Sequence, residues 1–196
     1  MQLIRTFIAA DIPLPIQQTM QCHVDSLRHA LGDLVRWAPV QNIHLTLKFL
    51  GEVSPASVEI LTQMLRAEAD SYSSFDITIG GLGSFPSSKQ ARVLWVGIQA
   101  PAELKALQHS IEAACARLGY ASDPRPFSPH LTIGRVRDHI SPADQQKIRK
   151  ALEETTIDSL GTTRIDSIHL YKSELRPGGS VYTKLFSVPL KNAATT

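Results

Sequence analysis

A chain of 196 residues, 43% hydrophobic and 19% charged, is long enough for one domain or two small lobes with a real core. Its 20 Lys and Arg against 18 Asp and Glu leave a formal charge of +2, which excludes a polycation, so any nucleic-acid partner must be met by a local basic cluster. Two cysteines exclude a disulfide framework; Cys22 and Cys115 both sit in helical patterns, which predicts small buried residues and a reducing, cytoplasmic setting.

The opening MQLIRTFIAADIP carries one basic residue and an apolar run cut short by Asp11, so no signal peptide is expected. No run in the chain approaches the ~20 apolar residues of a membrane span, and no membrane association is expected. Residues 3–11 read as a β-branched strand closed by Pro13 and Pro15. Ile16, Met20, Val24, Leu27 and Leu31 then recur at helical spacing up to Gly32. Residues 42–50 alternate Ile43, Leu45, Leu47 and Phe49 with His44, Thr46 and Lys48, the period of a strand with one apolar face. Ser54 as N-cap and Pro55 as first helical residue open a second helix, with Val58, Leu61, Met64 and Leu65 as its core stripe. Residues 75–79 and 92–98 read as strands around a Gly/Ser/Pro-rich loop, 80–90. A helix over 101–118 stops at Gly119, and Leu131 and Ile133 alternate with His130 and Thr132 in a further strand. Ser141 and Pro142 start a helix to about Leu152, and strands 163–175 and 181–190 pair across the turn Arg176-Pro177-Gly178-Gly179. The sum is an α+β fold of two similar lobes with mainly antiparallel sheets and outer helices. The lobes are expected to be pseudo-twofold symmetric around a central cleft, in a single domain over 1–196.

The informative feature is an internal repeat. His44-Leu45-Thr46-Leu47 returns 86 positions later as His130-Leu131-Thr132-Ile133, each at the start of a strand. Residues i and i+2 of a strand share a face, so each copy presents an imidazole beside a hydroxyl while its apolar residues anchor the other face. Histidine exchanges a proton near neutral pH, and two of them on opposite sides of a bond suit concerted acid-base catalysis. Threonine hydroxyls can donate to phosphate oxygens, and a nearby arginine adds fixed positive charge where negative charge develops. Imidazoles, hydroxyls and a guanidinium without a local carboxylate favour an anionic substrate. Neither motif carries a nearby Cys, Asp or Glu at ligand spacing, so no metal is expected, and His169 reads as a structural strand histidine. No phosphate-binding Gly-rich loop is present, and no cofactor is expected.

These motifs, with RTFIA and Asp11 near the start, HLTLKFLG over 44–51, RVLWVG over 92–97, RPFSPHLTIGR over 125–135 and the terminal hairpin, resemble the two-histidine phosphoesterases. Within them the chain is most similar to the bacterial and archaeal RNA 2′,3′-cyclic phosphodiesterases, long called 2′-5′ RNA ligases. The resemblance implies that His44 gives a proton to the leaving oxygen and that His130 activates water. A terminal 2′,3′-cyclic phosphate on an RNA end or tRNA fragment would then open to a 2′-phosphomonoester. An RNA 5′-hydroxyl in place of water would give a 2′-5′ linkage without ATP.

The resemblance also implies substrate contacts from Thr46 and Thr132, from Arg135 to phosphate, and from Phe49 and Phe7 to a base. Strict alternation turns both Arg135 and Phe49 away from their histidines, and a bulge at Gly134 would re-aim Arg135. Lys48, Arg125 and Arg137 are candidates for the local basic cluster. Two other functions stay open: a non-catalytic RNA- or nucleotide-binding module, and hydrolysis of a small cyclic phosphate such as ADP-ribose cyclic phosphate. A monomer is expected.

Overall fold

The structure, a computed structural model, describes residues 2–177 and 179–192. Gly178 of the expected hairpin turn and the last four residues of the expected domain lie outside the described residues.

Strand β1 (Ile4–Asp11) leads through Pro13 into helix α1 (Leu14–Leu31), whose stripe Ile16, Met20, Val24, Leu27 and Leu31 is buried. Gly32 ends the helix in a positive-φ conformation, and a three-residue strand, β2 (Val35–Trp37), follows. Strand β3 (His44–Val53) starts two residues later than expected because residues 40–42 form a 3-10 turn. Helix α2 (Ser57–Ala69) also starts late: Ser54 Oγ accepts from the backbone N–H of Ser57, at 3.2 Å, and caps the turn that precedes the helix.

The expected loop at 80–90 is mostly strand, since β4 runs over Phe75–Phe85. Its register against β5 (Val93–Gln99) slips between Ile79 and Leu82, and Gly81, at φ +79°, supplies the left-handed residue that lets the ladder continue past the slip. Glycine and serine here mark a bulge within a strand.

Helix α3 (Ala102–Arg117), strand β6 (His130–Val136) and helix α4 (Pro142–Glu154) follow, the last opened by a reciprocal capping box between Ser141 and Asp144. The strand expected over 163–175 is two strands: β7 (Gly161–Ile165) and β8 (Ser167–Arg176) part at Asp166 and enter different sheets. Strand β9 (Gly179–Pro189) pairs with β8 as expected.

Two sheets result, ordered β3-β1-β8-β9 and β2-β6-β5-β4-β7, with antiparallel pairing throughout. The α+β, two-lobed expectation is correct, but the lobes are not the two halves of the chain. The first sheet takes its outer hairpin from the C-terminal end, and β2 crosses to the second sheet. Helices α2 and α3 pack on the first sheet, while α1 and α4 pack together beside β2. One buried apolar cluster, including Ile8, Leu45, Val96 and Leu131, runs through both. Cys115 lies in that cluster, where burial pushes its thiol up to about 11, whereas Cys22 is exposed on α1, contrary to expectation. No described helix is long and apolar enough to cross a membrane.

Candidate active site

Where the two sheets meet, β3 and β6 run within contact distance of each other, and this brings the two repeats together. The strands share one local design. In each, His, Thr and the fifth residue past His are at least partly exposed, while the second, fourth and fifth motif positions are buried. The fourth residue explains the break in alternation. Against β1, Lys48 pairs with Ile8 and Thr46 with Ala9, which leaves Leu47 as the extra residue. Against β5, Gly134 pairs with Leu94 and Thr132 with Trp95, which leaves Ile133 extra. One extra residue reverses the facing of all that follow. Phe49 and Arg135 therefore return to the side of their histidines, and both line the cleft. Arg135 is exposed, and Phe49 retains 64% of its surface to solvent.

The histidines are held in the same way. His44 Nδ1 lies 2.7 Å from the carbonyl of Asn42, and His130 Nδ1 lies 2.7 Å from the carbonyl of Ser128. A carbonyl only accepts, so Nδ1 carries the proton in both rings and Nε2 is left as the atom that can exchange one. Burial pushes the pKa of His44 below its usual value. The hydrogen bond to Asn42 and the carboxylate of Asp11 oppose the shift, and the charge of His130 adds to it. Burial also lowers His130; Ser128 opposes it and the guanidinium of Arg135 adds to it.

Their surroundings differ. His44 stacks on Phe7 at 4.6 Å between ring centroids and meets the edge of Tyr182 at 5.3 Å. His130 is packed by Phe85, edge-on at 4.9 Å. Phe7 itself is only 3% exposed and is also stacked on Tyr171, so it buttresses the imidazole and offers no open face to a base; the expected contact from Phe7 to substrate is corrected accordingly. Asp11, the cross-strand partner of His44, accepts from the Tyr171 hydroxyl at 2.5 Å and from Lys184 Nζ at 2.7 Å. Burial would raise the Asp11 pKa, but these two bonds and the field of His169 hold it below the usual carboxylate value. His169 is buried on β8 with Nε2 3.4 Å from Asp11, away from the cleft lining.

The cleft has a volume of about 860 Å³ and is lined by Thr46, Phe49, Arg92, Arg125, His130, Thr132 and Arg135 among others. Neither threonine hydroxyl is engaged by another described group, so both are available as donors. The expected basic cluster is observed only in part. Lys48 is buried, bonded to Glu112 on α3 and to the carbonyl of Ala121 at 2.6 Å, because the bulge turns it into the lobe. Arg137 donates to the carbonyl of Asp33 at 2.6 Å and lies outside the cleft lining, whereas Arg125 and the buried Lys48 both border the cleft. Arg92 borders the cleft as well. The sequence also gave no signal for Asn42 and Ser128, since they act through backbone carbonyls that every residue has.

Comparison with known proteins agrees with this geometry. The sequence matches the 2′-5′ RNA ligase superfamily over residues 13–176. It is 30% identical over 182 residues to the RNA 2′,3′-cyclic phosphodiesterase of Methanothermobacter thermautotrophicus, covering 93% of this chain and 96% of that one. It is 31% identical over 196 residues to the protein of that name from Escherichia coli, covering 98% and 97%. Among solved structures, Escherichia coli LigT in its apo form is similar at a TM-score of 0.77 and 26% identity, over 98% of this chain and 100% of that one. A Thermus thermophilus protein has the same fold, with a TM-score of 0.81 at 22% identity over 96% and 99%. The chain belongs to the 2′-5′ RNA ligase superfamily.

Proposed function

We propose that this protein is an enzyme that hydrolyses the terminal 2′,3′-cyclic phosphate of RNA to a 2′-phosphomonoester. The observation that carries this reading is the pair of imidazoles, each fixed through Nδ1 on a backbone carbonyl, each with Nε2 left to exchange a proton and a threonine hydroxyl two residues on. His130 Nε2 takes a proton from water as the water oxygen bonds to phosphorus. The bond from phosphorus to O3′ breaks, and His44 Nε2 gives its proton to the departing O3′. Thr46, Thr132 and Arg135 stabilise the charge on the non-bridging oxygens as it grows. The carboxylate of Asp11 favours the protonated form of His44, and Arg135 disfavours that of His130, which supports this division of roles. Phe49 provides an exposed ring for a base.

With an RNA 5′-hydroxyl as the attacking group, the same geometry makes a 2′-5′ phosphodiester without ATP. Three arginines along a cleft of this volume favour an RNA end over a small cyclic phosphate or a purely structural binding role. Two free thiols, one of them exposed, suit the reducing cytoplasm, where the chain acts as a single bilobal monomer. The test is a short RNA ending in a 2′,3′-cyclic phosphate, incubated with EDTA present. The expected product carries a 2′-phosphate and a 3′-hydroxyl. A 3′-phosphate product, or no turnover, refutes the reading.

A further inference from the structure

Arg36 lies outside the cleft lining, on the edge strand β2, yet it is the direct cross-strand partner of Arg135. Val35 and Val136, the next pair along, are both buried, so Arg36 and Arg135 share the opposite, exposed face. Like charges directly opposite each other in an antiparallel pair, with Cα atoms about 4.5–5.5 Å apart, destabilise a sheet. The other two arginines of the cleft have neighbouring carboxylates: Arg92 pairs with Asp138 at 3.3 Å and Arg125 with Asp123 at 2.7 Å. Arg36 and Arg135 have neither a carboxylate, a carbonyl nor a ring as partner among the described residues. Two unneutralised guanidinium groups side by side are suited to two anionic groups at close spacing. An RNA chain ending in a cyclic phosphate extends only one way from it, so its next anion is the phosphodiester on the 5′ side.

We propose that Arg36 and Arg135 form a two-phosphate subsite, with Arg135 at the reacting terminal phosphate and Arg36 at the adjoining phosphodiester, which selects an RNA chain over a mononucleotide. This rests on the hydrolysis of RNA 2′,3′-cyclic phosphate proposed above. The alternative for Arg36 is the ordinary one of an edge-strand charge that blocks pairing with another sheet.

The test compares wild type with Arg36→Gln in two arms. In the turnover arm, kcat/KM is measured for a short RNA with a 2′,3′-cyclic phosphate and for a 2′,3′-cyclic mononucleotide. The ratio of the two is expected to fall about ten-fold in the variant, the loss from one charge-assisted contact. An unchanged ratio overturns the subsite. The binding arm reads the affinity of a labelled short single-stranded RNA against KCl concentration and needs no turnover. The slope of log affinity against log salt is expected to be shallower by about one in the variant. An unchanged slope overturns the subsite too, as an edge-protecting role would give. Wild-type protein that turns over neither substrate refutes the hydrolytic reading, and the salt slope then decides on Arg36 alone.

Discussion

Strands β3 and β6 leave the same three side-chain positions at least partly exposed, by the same bulge at the fourth motif residue, and both fix their histidine through a carbonyl two residues upstream. Around that shared design the two lobes diverge. Where β3 has Lys48, tied into α3 through Glu112, β6 has Gly134, on which a Cβ would come within 2.6 Å of Val35 Cγ1. Phe49 faces the cleft from one strand and Arg135 from the other. A carboxylate stands across the ladder from His44, and a guanidinium acts on His130. The comparison teaches that geometry is duplicated for the two histidine–threonine pairs, while the electrostatic difference between them comes from neighbours that are not duplicated.

The largest effect should come from the histidines themselves. Replacing either His44 or His130 by Ala is expected to lower turnover by about 10²–10⁴-fold, the usual range for a general acid or base. The two variants should separate on a substrate whose leaving group departs without a proton, which rescues His44→Ala and not His130→Ala. Equal rescue would mean that the lobes do not divide the work.

Thr46→Val and Thr132→Val probe the part of the design that is alike. Each keeps the shape of the side chain and removes a donor, at an expected cost of roughly 2 to 4 kcal/mol in kcat/KM if the hydroxyl acts as an oxyanion-hole group does. Comparable losses would show that both lobes hold the phosphate, and a loss in one variant alone would assign it to that lobe.

The position at which the lobes differ most is tested by stability. Lys48→Ala leaves Glu112 without its cation at a largely dry site, and urea unfolding should register a loss of about 3 kcal/mol. Gly134→Ala forces Val35 aside and should cost about 1–3 kcal/mol by overpacking. A neutral Gly134→Ala would show that β2 has room to move.

The smallest effect belongs to Asp11. Its carboxylate raises the pKa of His44, so Asp11→Asn should lower that pKa and shift the alkaline limb of the pH–rate profile to lower pH, since the proton donor is then lost sooner. The acidic limb, set by deprotonation of the base, should stay in place. NMR titration of the His44 ring in the free protein gives an independent reading. Movement of the acidic limb instead would reverse the assigned roles.

Much of this was legible in the chain because it is local. Alternation at 44–47 and 130–133, the α1 stripe from Ile16 to Leu31, and the Ser141 cap followed by Pro142 each depend on neighbours within a few positions. The side-by-side placing of imidazole and hydroxyl in each His-x-Thr pair followed from strand periodicity, while the reaction was what the family resemblance implied. What tertiary structure decided depends on partners far away in sequence. Bulges exist only against a partner strand, so the direction of Phe49 and Arg135 was settled by β1 and β5. Strand β2 is three residues long, too short to show a period, and Arg36 acquires meaning only beside Arg135. The break at Asp166 is invisible in an alternating run because both sheets want the same pattern. Burial of Lys48 required Glu112, 64 positions away, and the field on His44 required Asp11 to be bridged to Tyr171 and Lys184 from β8 and β9. Local periodicity set each histidine beside its threonine, and long-range pairing decided where Phe49 and Arg135 point, because a bulge exists only against a partner strand.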